Sequence, residues 1–101
     1  MSNDPEFKNR SNAVIDFFNE QMQKSGLPPH FTAASGAYAA ARFAVWAAAR
    51  NTVSVDELKT RRQHVIDTFA EGHRQMLEEH FDEYVNNYDQ YFQQKPGVIL
   101  P

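Results

Sequence analysis

The chain contains no cysteine. That excludes disulfides, thiol catalysis and thiolate metal sites, and it suits a reducing compartment. Glycine is scarce, four residues in 101, and none sits in the Gly-rich strand-to-helix turn that cradles phosphates. A basic excess is missing too. The net charge is -3, which argues against a nucleic-acid binder. No apolar run marks the opening MSNDPEFKNR, so it does not read as a signal peptide. The nearest approach to a membrane span is Thr32 to Ala49, but it is mostly Ala and carries Arg42 in its middle. Such a stretch gains too little on leaving water to cross a bilayer. A cytoplasmic protein with no membrane association is expected.

What is present is a globular composition: 42% hydrophobic residues and 13% aromatic, with eight Phe. A disordered chain would show fewer aromatics and a larger net charge. One domain is expected from about residue 1 to 95, followed by an apolar tail over residues 96–101.

The stretch Thr32 to Arg50, TAASGAYAAARFAVWAAAR, is the expected centre of the fold. At about 100° per residue, Gly36 and eight alanines fill one arc of about 160°. No side chain there would hold a neighbouring helix away. The rest of the wheel carries Tyr38, Phe43, Val45 and Trp46, interrupted by Ser35, Arg42 and Arg50.

Around it the spacing predicts three more helices. The first spans about residues 4–24, opened by Asp4-Pro5-Glu6 and carrying Phe7, Val14, Phe18 and Met22 on one stripe. Ser25-Gly26-Leu27-Pro28-Pro29 stops it. The central helix covers about 31–50. The third covers about 54–79, and Ser54 with Glu57 forms a capping box inside a Val53–Leu58 staple. Its seam is Val55, Leu58, Arg62, Val65, Phe69, Gly72 and Met76, a 3-4 rhythm.

That rhythm then slips by one residue, to Leu77, Phe81, Tyr84, Tyr88 and Tyr91. One unbroken helix through both halves would be about 58 Å long. A break near Glu79-His80-Phe81 is therefore expected, with a fourth helix over about 81–94. The other reading is an unbroken helix whose second half packs on another chain. The end, Pro96-Gly97-Val98-Ile99-Leu100-Pro101, reads as disordered or as an extended clamp. The fold class is all-α, an antiparallel three-to-four-helix bundle with an Ala-rich central helix.

Chemistry is thinly signalled. His73 and His80 share a helix face, and His80 with Glu83 is an i, i+3 pair. With Glu79 they are the candidate metal ligands. The Glu-x-x-His motif of carboxylate-bridged metal bundles is absent, however. Lys59, Arg61 and Arg62 form the one basic cluster and would serve a phosphate. Arg42, between Tyr38 and Trp46, is the candidate anion or interaction site, since a guanidinium can stack on either ring. Phe81, Tyr84, Tyr88, Tyr91 and Phe92 exceed what a short terminal helix needs as a cap, and aromatic-rich patches favour interfaces. No catalytic residue and no cofactor is predicted.

Tyr38-Ala39-Ala40-Ala41-Arg42-Phe43 appears together with Phe69, Met76-Leu77-Glu78-Glu79, Asp82, Tyr84, Asn87, Tyr88 and Asp89. This pairing resembles a family of short bacterial proteins classed as a domain of unknown function, from about Arg10 to Phe92. The resemblance implies a small cytosolic helical protein and no activity. The expected function is a non-enzymatic interaction module that self-associates as a homodimer or binds another protein. The alternative is a metal- or anion-binding bundle using His and Glu of the third helix, or Arg42.

Overall fold

The computed structural model describes residues 4–92. They form four helices in the order α1 (Phe7–Ser25), α2 (Pro29–Ala49), α3 (Val55–Asn86) and α4 (Tyr88–Phe92). No strand occurs among the described residues, so the chain is all-α. None of their helices is long and apolar enough to cross a membrane. The tail from Pro96 lies outside the described residues, as do the last residues of the expected fourth helix.

The described residues divide into two units, one ending at Phe43 and the other beginning at Ala44. In the first, α1 opens with the Asp4 carboxylate accepting the Glu6 amide at 2.9 Å and pairing with Arg10. Helical geometry begins at Phe7, three residues later than the sequence suggests. Gly26 ends α1 at φ 68°, in the left-handed region that glycine enters without a Cβ penalty, and its amide donates to the Met22 carbonyl at 3.1 Å. Pro29 takes the first position of α2, where a missing N–H costs nothing. Ile15, Phe18 and Met22 are the half-buried apolar residues of α1. The Phe18 ring lies against Gly36, so close that a Cβ built on Gly36 would come within 3.1 Å of three ring atoms. The small-residue arc thus admits a ring at its one glycine.

In the second unit, the last turn of α2 is closed by side chains. Thr52 Oγ1 donates to the Ala49 carbonyl at 2.7 Å and Asn51 Nδ2 to the Ala47 carbonyl at 3.3 Å. The capping box of α3 forms as read. Glu57 N donates to Ser54 Oγ at 3.1 Å, and Val53 N donates to Glu57 Oε1 at 2.8 Å. The staple does not form: Val53 is 94% exposed. With the box already holding the chain entry by two hydrogen bonds, no apolar contact is needed to set it.

The Glu57 carboxyl is held below its ordinary value, first by the Val53 amide and then by Arg61, whose Nη2 lies 2.9 Å from Oε2. Its pKa is lowered on folding, so the box contributes fully above the ordinary carboxylate range. The contribution is lost as pH falls through the lowered value. Thermal melts of the native chain and Glu57→Gln should therefore differ at pH 7 and converge as the pH falls through the lowered value of Glu57. Ser54→Ala should cost about 1 kcal/mol at neutral pH, measured by denaturant unfolding.

The expected break at Glu79-His80-Phe81 is absent. α3 runs unbroken for 32 residues, about 48 Å at about 1.5 Å per residue. The slip in the apolar pattern lacks a helix breaker, and Met, Leu and Glu around it are strong helix formers. The chain turns instead at Asn87, whose amide and Nδ2 both donate to the Glu83 carbonyl, at 3.1 and 2.9 Å. The expected long fourth helix is correspondingly a five-residue one over the described residues.

A bundle core is likewise absent among the described residues: none, apolar or polar, is buried. The alanine arc of α2 is one physical reason. An alanine arc brings little apolar area to a contact, and hydrophobic stabilisation scales with area.

Candidate functional site

α3 carries the largest run of uncovered apolar side chains on a single element. Leu58, Val65 and Gly72 recur every seven residues and are half-buried. Met76 and Phe69 lie close to their line on the wheel, and Ile66 and Leu77 about 100° further round; all four are exposed, Phe69 to 54%. His73 lies among these four and is exposed as well. The seam read from the sequence joins the half-buried Leu58, Val65 and Gly72 to the exposed Val55, Arg62, Phe69 and Met76, because periodicity alone does not say which residues of a face are covered.

The predicted aromatic strip divides. Tyr84 stands at the centre of a small cluster, its ring centroid 5.1 Å from Tyr91 and 5.9 Å from Phe92. Tyr88 and Phe92 are 5.2 Å apart. The turn at Asn87 permits this by carrying α4 back against the end of α3, where ring pairs gain more than area alone gives. Phe81 is not in the cluster and remains 72% exposed.

Glu83 ties the cluster together. Its Oε2 accepts the Tyr91 hydroxyl at 2.8 Å, and its Oε1 is 3.8 Å from His80 Nδ1. The carboxylate raises the Tyr91 phenol above its ordinary value, first by accepting its hydrogen bond and then through desolvation and charge. Removing that charge with Glu83→Gln should lower the Tyr91 titration toward the ordinary phenol range in an ultraviolet pH titration. An unchanged curve would contradict the bond.

His73, His80, Glu79 and Glu83 do not converge. Among the described residues no three metal-ligating side chains lie close enough together to hold an ion. In the basic cluster, Arg61 is engaged by Glu57, while Lys59 and Arg62 are exposed. The expected arginine–tryptophan stack exists with a different arginine. Arg50 Cζ lies 5.2 Å from the Trp46 ring centroid, four residues on and just past the end of α2. Arg42 and Tyr38 are exposed, Tyr38 to 74%.

Residues 7–85 match a family model described as a protein of unknown function (DUF3144). The chain belongs to that family. The match takes in α1, α2 and nearly all of α3, so the exposed α3 face lies within the family domain, while the Tyr88–Phe92 helix lies beyond it. No curated protein matches the chain, and no solved structure does.

Proposed function

We propose that the chain is a non-enzymatic, self-associating helical module of the cytoplasm. One observation carries the reading: the described residues bury no apolar side chain, yet they expose Phe69, Met76, Leu77 and Phe81 along α3. Soluble monomers rarely leave contiguous apolar patches of this kind uncovered, and such patches mark interaction sites. A domain also reaches its few kcal/mol of net stability only by burying apolar area. Here that area is supplied by association. In obligate dimers the folded state is inseparable from protomer concentration.

Thermal melting at several concentrations tests this. The midpoint should climb steadily as protein is raised from micromolar to hundreds of micromolar, since mass action favours the associated form. A midpoint independent of concentration would count against the proposal.

A further inference from the structure

The turn between α3 and α4 is made by one residue. Asn87 has φ -122° and ψ 26°. On either side of it the backbone keeps the α-helical bond from residue i to i-4. The Asn87 amide donates to the Glu83 carbonyl at 3.1 Å, and the Tyr91 amide donates to the Asn87 carbonyl at 3.0 Å. A change of about 60–70° in each of the two Asn87 dihedrals would bring it to helical geometry and join α3 to α4. Residues 84–92 hold no Gly or Pro that would forbid it.

The bend makes contacts that a straight helix cannot. The Tyr91 hydroxyl donates to Glu83 Oε2 at 2.8 Å, eight residues back. The Tyr84 ring lies 5.1 Å from that of Tyr91 and 5.9 Å from that of Phe92. On an unbroken helix, residues seven or eight apart are about 10–12 Å apart along the axis, and side chains meet at three and four. Asn87 Nδ2 adds a bond to the Glu83 carbonyl at 2.9 Å, and such side-chain bonds to the backbone compete with the regular ladder.

The sequence, however, is patterned for the straight form. Leu77, Phe81, Tyr84, Tyr88 and Tyr91 keep their 4, 3, 4, 3 spacing across Asn87 without a change of step. On one continuous helix they would share a stripe about 80° wide, in line with Ile66 and His73. Straightening would also complete the backbone ladder through the turn. Each form thus has its own contacts, and a single residue absorbs the difference, as hinges do.

We infer that Asn87 is a hinge and that the end of α3 with α4 is a two-state element. In the bent form Tyr91 is latched to Glu83 and the rings close on Tyr84. In the straight form Leu77, Phe81, Tyr84, Tyr88 and Tyr91 lie on one stripe. The device opens and closes an aromatic surface. The family match ends at residue 85, so the hinge and Tyr91 lie beyond it while Glu83 lies within it.

Nuclear magnetic resonance on the full chain tests this. The native chain should show cross-peaks between the rings at positions 84 and 91, with non-helical carbon shifts at Asn87. Relaxation dispersion, which reads exchange on the microsecond-to-millisecond scale, should find a minor state confined to about residues 84–92 whose shifts at Asn87 are helical. Tyr91→Phe removes the latch and keeps the ring. It should raise the straight population by about three- to tenfold, the worth of one hydrogen bond. Asn87→Ala should raise it by about threefold through helix propensity alone. The helical shifts of residues 58–80 report that each variant is folded. A native chain without exchange, and with the same shifts in both variants, would overturn the hinge and leave a rigid corner. Variants in which residues 88–92 lose helical shifts would overturn it too, since α4 would then be a cap that detaches and not a continuation of α3.

Discussion

Replacing Phe69 by glutamate should dissociate the protein. Phe69 is more than half exposed on the single chain and is proposed to be covered by a second copy. Covering a Phe side chain fully is worth about 1.5–3 kcal/mol. About half of that remains to be gained at Phe69, and in a symmetric dimer each substitution counts twice, so the affinity should fall by on the order of 10–10²-fold. A buried unpaired carboxylate adds to the loss. The control is Val85→Glu, since Val85 is exposed but turned to the other side of the same helix. It should leave the affinity within about threefold of the native value, as surface substitutions usually change free energies by less than about 0.5 kcal/mol. Analytical ultracentrifugation over a dilution series reads both. Equal behaviour of the two variants would remove the α3 face from the account.

Gly36→Ala should destabilise the chain, against the usual gain of about 1 kcal/mol for replacing a helical glycine. The new methyl would stand well inside contact distance of Phe18 Cζ and 2.8 Å from Cε1. Phe18 has only two common χ1 wells on a helix, so the ring must leave the position it holds. Overpacking of this kind costs about 1–3 kcal/mol, which outweighs the propensity gain. The sign should reverse once the ring is gone. In a Phe18→Ala background, Gly36→Ala should stabilise by about 1 kcal/mol. The cycle should thus show a coupling of about 1–3 kcal/mol between the two positions in urea unfolding. The same effect in both backgrounds would show that the two helices do not meet there.

The parts of the fold that were legible in the sequence are those decided within a few residues. Gly26 had to follow a last turn, and Ser54 with Glu57 could satisfy two amides wherever the rest of the chain lay. The Val53–Leu58 staple and the break at Glu79-His80-Phe81 were inferred from apolar spacing, and neither occurs. Asn86 and Asn87 were the better signal for a stop, because an asparagine side chain can satisfy a terminal carbonyl, as Asn87 does at Glu83. The α3 site was half legible for the same reason. Spacing shows which residues share a face, but burial depends on what lies opposite, and Val65 and Ile66 satisfy the same rhythm. The aromatic strip failed as one surface because its pattern assumed a straight helix. The turn at Asn87 folds Tyr88, Tyr91 and Phe92 toward Tyr84 and leaves Phe81 outside.

The reading of this protein as a self-associating module rests on apolar side chains that the single chain leaves uncovered. Sedimentation equilibrium on the native chain, across concentrations from about 1 to about 500 μM, addresses it most directly. A mass twice the 11.6 kDa of one chain, giving way to monomer only on dilution, is the predicted result. A mass of 11.6 kDa at every concentration, with the helices intact, would contradict it.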